Sequence, residues 1–288
     1  MQGPVSEDAF AKINLTLRIL GRREDGYHEL RSLVAFARLG DRVTAAAADG
    51  LSLEVTGPFA KGLEGETDNL VLRAARALRD LTGVTAGAHL TLEKNLPVAS
   101  GIGGGSADAA AALRALIRLW NVNPGETALV ALAASLGADV PVCLSSSSAL
   151  MWGTGEKIVP LPLPRSWFVL VNPRFVLHTS AVFRELEAPL LSEAPAAPPL
   201  PAFASLDDVV RWAREEGNGL ETPAIRIASR IGEVRKAIAR TVDCLLARMS
   251  GSGATCFGLY PSGEAAEEAA HIITAAHPDW WVAAGEAV

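Results

Sequence analysis

The chain of 288 residues has only three cysteines, Cys143, Cys244 and Cys256, and none stands in a C-x-x-C pair. An odd and scattered set excludes a disulfide framework and a structural zinc site, and it suits a reducing cytoplasm. Long apolar runs are also missing. A charge interrupts each one before the ~18–20 residues that a bilayer span needs, as Asp139 does between Ala131 and Val142. The opening MQGPVSEDAF carries Glu7 and Asp8 where an export signal would be basic. Basic charge is short as well: 26 Lys and Arg against 32 Asp and Glu leave a net charge of −6. Nucleic acid is therefore not an expected partner, because its binding depends on neutralising phosphates with Lys and Arg, and no membrane is expected either. G-x-x-x-x-G-K-[ST], G-x-S-x-G and H-E-x-x-H are all absent, and His89, His178, His271 and His277 lack ligand spacing.

Apolar residues make up 49% of the chain and the mean hydropathy is +0.24, enough to build a sizeable core and to exclude general disorder. Phe10–Ile19 alternates, with Ala11, Ile13, Leu15, Leu17 and Ile19 on one face and Lys12, Asn14, Thr16 and Arg18 on the other. That pattern predicts a half-buried strand running into a loop at residues 21–28. Further strands are expected at about 31–37, 41–47, 52–55, 89–93, 167–172 and 256–260. Helical periods cover 69–81, 106–120, 126–136, 207–216, 225–242 and 264–276. The proline-rich stretch 188–203 reads as an irregular loop. With no regular βαβ rhythm, the chain is expected to form two α+β lobes with a boundary near 155–165.

The strongest local signal is Pro97-Val98-Ala99-Ser100-Gly101-Ile102-Gly103-Gly104-Gly105-Ser106-Ala107-Asp108, a glycine loop between a strand and a helix. Glycines let backbone N–H groups close on a ligand, and a helix N-terminus adds unsatisfied donors and partial positive charge, so phosphate is the fitting ligand. The same residues would also serve as a tight turn with Ser106 as N-cap. A second cluster, Met249-Ser-Gly251-Ser252-Gly253, leads into an apolar strand and by itself reads as a turn.

Ala11-Lys12-Ile13-Asn14-Leu15, the Pro97–Ala112 loop and Met249–Gly258 together resemble, in order and spacing, the three motifs of the GHMP kinase superfamily. Arg23-Glu-Asp-Gly26-Tyr27-His28-Glu-Leu, Asp68-Asn69-Leu, Gly137-Ala-Asp139-Val-Pro141 and Ala247-Arg-Met-Ser-Gly251 narrow the resemblance to the branch acting on a cytidine diphosphate polyol. The resemblance implies a two-lobed α+β GHMP kinase fold: an N-terminal lobe (1–160) like ribosomal protein S5, a C-terminal ferredoxin-like lobe (161–288), and an active site in the cleft between them. It implies ATP-dependent phosphorylation of the 2-hydroxyl of a methylerythritol carrying a cytidine diphosphate, with ATP and Mg²⁺ required and a monomer or homodimer expected. Another small-molecule kinase of the superfamily, or a catalytically silent nucleotide-binding protein of the same fold, stays open.

By matching position, Asp139 would be the catalytic base with Lys12 beside it. Read from the residues alone, Asp139 is equally a helix N-cap and Lys12 a strand-face charge. The residues 97–107 would cradle the ATP phosphates, and Asn69 and Lys94 would address adenine. Tyr27 and Phe183 would sandwich cytosine, His28 would bond its edge, and Asn14, Thr179 and Asp139 would contact the substrate. Gly251, Ser252 and Gly253 would form a structural glycine motif. Ala107 stands where the superfamily commonly has a second serine, and the motifs identify no acidic magnesium ligand.

Overall fold

The structure, a computed structural model, describes residues 3–193 and 195–288. In chain order it runs β1 (Val5–Asn14), β2 (Arg18–Arg22), β3 (His28–Ala48), β4 (Leu51–Thr56), α1 (Leu70–Thr82), β5 (Gly87–Glu93), α2 (Gly104–Trp120), α3 (Glu126–Leu136) and α4 (Val140–Ser145). It continues with β6 (Ala149–Gly153), β7 (Lys157–Pro160), β8 (Trp167–Asn172), α5 (Thr179–Leu186), α6 (Leu206–Glu216), α7 (Glu221–Ile227), α8 (Arg230–Ala239), β9 (Leu246–Met249), β10 (Cys256–Tyr260), α9 (Gly263–Ala276) and β11 (Trp281–Glu286). Two compact units result. The first holds the chain up to Ala11, Gly40–Val98 and Gly103–Ser146; the second holds Lys12–Leu39, Ala99–Ile102 and Ser147–Val288. Among the described residues no helix is long and apolar enough to cross a membrane.

In the first unit, β5 pairs antiparallel with the second half of β3 and parallel with β4, so α1 forms the crossover between parallel β4 and β5. Helix α1 follows its sequence period. Asn69 caps it by accepting the Val71 N–H, left-handed Gly83 ends it, and Val71, Ala74, Ala75 and Leu78 face inward. Helix α2 buries an almost continuous run from Ala107 to Leu113. Alanines let neighbouring helices come close on several sides, and α2 packs on both α1 and α4.

In the second unit, the first half of β3 pairs with β2 and β6, and β6 with β7. A separate antiparallel sheet has the order β11-β8-β10-β9. Its strands and helices alternate as βαββαβ in the order 4-1-3-2, the ferredoxin-like arrangement. Its core is Val169, Val171, Met249 and Cys256 from the strands against Val182, Ala224, Ile231, Val234, Ala269 and Ile273 from the helices.

Several expectations need correcting. The strand expected over 10–19 ends at Asn14 and resumes at Arg18, and on its polar face Lys12, Asn14 and Thr16 are buried while Arg18 is exposed. Hydrogen bonds make this burial tolerable: Asn14 Nδ2 donates to Ser32 Oγ, Ser32 Oγ to Thr16 O, and Leu33 N–H to Thr16 Oγ1. The two strands expected at 31–37 and 41–47 are the single strand β3. Gly40 is not a turn there: a Cβ at that position would collide with the Ala9 carbonyl, so glycine allows a close backbone approach. The loop expected at 21–28 is shorter, since Gly21 and Arg22 belong to β2. The helix expected at 225–242 is two helices, α7 and α8, because Ala228 turns extended while the apolar period runs on across it. Strands β6, β7, β9 and β11 and helix α5 were not foreseen. The irregular stretch 188–203 forms no helix or strand, and its Ala194 lies outside the described residues.

Candidate active site

The glycine loop is built on alternating left-handed residues: Ala99 at φ 51°, Gly101 at φ 77° and Gly103 at φ 64°. Alternation of this kind turns successive N–H groups toward one side and makes an anion-binding concavity. The second unit fastens the loop through its carbonyls. Thr255 N–H donates to Ser100 O at 3.1 Å, Lys12 N–H to Ile102 O at 2.9 Å, and Ser250 Oγ to Gly101 O at 3.0 Å. Across a trans peptide the N–H points opposite to the carbonyl before it. With Ser100 O and Gly101 O bound, the N–H groups of Gly101 and Ile102 therefore face away from these anchors.

The second glycine motif exists to let these backbones meet. A Cβ on Gly101 would lie 2.6 Å from Gly253 O and 2.7 Å from Ser250 O, and one on Gly251 would lie 2.7 Å from Gly101 O. Fully buried Ser250 also accepts the Asn14 N–H at 3.1 Å, so one hydroxyl joins the first strand, the glycine loop and the second motif. Ser252 Oγ lies 2.7 Å from Thr179 Oγ1 at the start of α5.

The remaining residues of the second unit divide by exposure. Lys12 is 4% exposed and Asn14 is buried. Tyr27 sits in the turn joining β2 and β3, held by its N–H on Asp25 Oδ1, and its side chain is 67% exposed. The rings of His28 and Phe183 pack in a tilted arrangement, 39° between planes, with centroids 4.7 Å apart. Partial burial, and then the Arg22 charge, hold His28 below the usual histidine range, so it is neutral at neutral pH and keeps one donor and one acceptor nitrogen.

In the first unit, α2 begins at Gly104, two residues earlier than expected. Its N-cap is left-handed Gly103 rather than Ser106, and no side chain caps it. A glycine N-cap offers no side-chain oxygen to the N–H groups of the first turn, the arrangement that receives an anion. The side chain of Ala107 is buried, as is that of Ile102 in the second unit, so each offers a ligand only its backbone. Asp139 occupies the N-cap position of α4, yet its carboxylate makes no capping bond. The N-cap reading of this residue therefore does not account for its side chain. Asn69 uses its carbonyl to cap α1 and its amide to bond Glu66 Oε2 at 2.9 Å.

Lys94, expected at the adenine, is 2% exposed and has its ammonium between two carboxylates, 2.5 Å from Asp41 Oδ2 and 2.7 Å from Asp108 Oδ2. Asp41 Oδ1 also accepts the N–H groups of Asn95 and Leu96. A Cβ on Gly104 would come within 3.2 Å of Lys94 Nζ, so this cluster lies directly against the start of α2. Burial depresses the Lys94 pKa, but Asp108 and Asp41 outweigh it and raise it overall. Burial, the dominant cause, and the Asp41 charge push Asp108 up to about 8 against the pull of Lys94, and Asp108 Oδ1 is buried without a hydrogen-bond partner. Sequence reasoning missed Asp41 and Ser250. Asp41 could have been found, since it shares the inward face of β3 with Val43 and Ala45; a serine inside a glycine motif gives no such signal.

Residues 69–147 match the family model "GHMP kinases N terminal domain" and residues 200–279 match "GHMP kinases C terminal". The chain is 64% identical over 284 residues to a protein of Parvibaculum lavamentivorans named 4-diphosphocytidyl-2-C-methyl-D-erythritol kinase, covering 98% of each. It is 52% identical to the protein of that name from Paramagnetospirillum magneticum, covering 96% of each. Among solved structures it resembles a 4-(cytidine 5'-diphospho)-2C-methyl-D-erythritol kinase with TM-score 0.78 and 36% identity, covering 98% of each chain. A homoserine kinase from Cytophaga hutchinsonii shares the fold, with TM-score 0.71 at 19% identity over 99% of this chain and 95% of that one.

Two predictions follow from the packing at these loops. Gly101→Ala should cost about 2–4 kcal/mol in urea unfolding, from a left-handed alanine and a collision with backbone. Gly105→Ala meets nothing within 4 Å at an ordinary φ and should keep or raise stability. Equal stability of the two variants would show that the loops do not need their close approach. The second prediction concerns Asp108, whose carboxyl gives up its proton near 3.8 when unfolded and near 8 when folded. The stabilising effect of that proton is complete below the lower value and is lost as pH rises through the upper one. Asp108→Asn carries no such proton, so between pH 5 and 9 its urea midpoint should fall less than that of the wild type. Parallel profiles would exclude a shifted Asp108.

Proposed function

The chain belongs to the 4-diphosphocytidyl-2-C-methyl-D-erythritol kinase family of GHMP kinases, and for the ATP-dependent phosphorylation it catalyses we propose a division of labour among its residues. The acceptor is the 2-hydroxyl of 4-diphosphocytidyl-2-C-methyl-D-erythritol and the product its 2-phosphate, a step in isoprenoid precursor biosynthesis by the non-mevalonate route. The observation that carries the assignment of the ATP site is the uncapped start of α2 on left-handed Gly103, preceded by a loop whose carbonyls are already bound. Backbone N–H groups there receive the phosphates. Phosphoryl transfer gains mainly from positioning and charge stabilisation, which a fixed backbone supplies without reorganisation.

Asp139 takes the proton of the acceptor hydroxyl. Its carboxylate is not used as a helix cap, and a carboxylate is the acceptor that this proton needs. Lys12, held in β1 by its own N–H on Ile102 O, supplies positive charge to the hydroxyl and the transferring group. Asn14 and Thr179 contact the polyol. Tyr27 and Phe183 take the faces of cytosine and neutral His28 bonds its edge. Asn69 serves the adenine end, whereas Lys94, its ammonium taken up by Asp41 and Asp108, holds the start of α2 on the phosphate side. Among the described residues no three His, Cys, Asp or Glu side chains form a metal-sized group. Mg²⁺, when bound with ATP, would neutralise charge on its phosphates. The cytoplasm is the proposed compartment, in keeping with three free cysteines.

Asp139→Asn keeps the shape and removes the proton acceptor. Its kcat should fall about 10²–10⁴-fold with both KM values little changed. A folded variant turning over near the wild-type rate would leave Asp139 without a catalytic role. For the base pocket, stacking is worth about 1–3 kcal/mol per base. Tyr27→Ala should therefore raise the KM for the cytidine substrate about tenfold, leaving the KM for ATP and the thermal midpoint unchanged. An equal rise for both substrates would remove Tyr27 from the cytosine site.

A further inference from the structure

We infer that Asn218 is a positioning residue for the phosphate loop, acting through the Met249–Gly253 segment; the inference rests on the reading of the glycine loop as the phosphate cradle. Asn218 lies between α6 and α7, outside every motif on which the family resemblance stands. Its Oδ1 accepts the Leu220 N–H at 2.9 Å, which fixes the side chain in a local turn. Both amide hydrogens then go to the neighbouring loop: Nδ2 donates to Met249 O at 2.8 Å and to Gly251 O at 2.9 Å. Three residues on, Glu221 Oε2 accepts the Met249 N–H at 2.8 Å. The base of this clamp is tied to backbone as well, since Leu17 N–H donates to Gly217 O and Gly219 N–H to Leu17 O.

The clamped segment is the one that closes on the glycine loop. Gly251, held at its carbonyl by Asn218, passes so near Gly101 that a Cβ would lie 2.7 Å from Gly101 O. Ser250, between the two carbonyls that Asn218 binds, gives its hydroxyl to Gly101 O. The position of Gly101, and with it the direction of its N–H, is thus set by two steps of hydrogen bonding that begin at one amide. Only an amide of this length offers two donors to converging carbonyls while keeping an acceptor for its own turn. Asn14 depends less on this clamp, because Ser32 fixes its side chain independently.

Asn218→Asp tests this role specifically: it keeps the shape and the acceptor for Leu220 and deletes both donated bonds. Steady-state kinetics should show kcat/KM for ATP lower by about tenfold, the loss expected for two hydrogen bonds, with the KM for the cytidine substrate within about twofold of wild type. Should this variant fail to fold, Asn218→Ser, which can donate one bond, should show the same split with a loss of about threefold. Unchanged ATP kinetics, or losses shared equally between the two substrates, would overturn the inference. Calorimetric ATP binding to Gly101→Ala separates the two levels. Wild-type affinity there would sink the phosphate-loop reading itself, whereas loss of affinity with an unaffected Asn218→Asp would sink only the positioning role.

Discussion

Two stretches of backbone must approach each other with no side chain between them, and the shape of the glycine loop depends on that approach. Gly101 on one side and Gly251 and Gly253 on the other leave no room for a Cβ. What replaces side-chain packing is a short set of hydrogen bonds: Ser250 to Gly101, Thr255 to Ser100, Lys12 to Ile102. Each binds a carbonyl, and each thereby fixes the peptide whose N–H points the other way. The glycines give the freedom to form this shape, and the bound carbonyls remove that freedom again. A loop of glycines without such anchors would lose much of its advantage, because every N–H would have to be ordered at the moment of binding.

The first unit meets a comparable demand with charge. The start of α2 rests against Lys94, Asp41 and Asp108, none of which is open to water. Burial of one ammonium with two carboxylates leaves a surplus of negative charge, which the Asn95 and Leu96 N–H groups on Asp41 and the raised pKa of Asp108 relieve. Removing one member of such a cluster strands the others, whereas replacing the whole with apolar groups can be neutral. The cluster is therefore better understood as fixing where α2 begins than as a large net source of stability.

How much of this was legible in the sequence follows from what carries each feature. Helix α3 and strands β8 and β10 were readable residue for residue because one period and two breakers define them. The polar face of the first strand was misread as solvated, since alternation cannot tell water from the buried partners Ser32 and Leu33. The role of Gly40 inside β3 is not legible in the sequence, since a glycine demanded by a passing backbone looks the same as one demanded by a turn. Strands β9 and β11 are short or only partly buried and lack a pattern of their own. At the site, the glycine motifs were legible and their mutual contact was not. Ser250, Asp41 and Asn218 act on backbone groups that only the fold brings to them.

The same distinction explains how one fold serves different acceptors. In the proposed assignment phosphate is recognised by backbone geometry, which a handful of glycines records in any chain that keeps the loop. In that proposed assignment the acceptor is recognised by side chains on separate elements: Tyr27 in a turn, His28 at the start of β3, Phe183 and Thr179 on α5. Tyr27, His28 and Phe183 make none of the bonds that anchor the glycine loop, so a chain can change them and keep that loop. Tyr27 is the clearest case. It is mostly in water, it contributes little that folding requires, and an aromatic ring left exposed on a short fixed turn is better explained by a ligand than by the core.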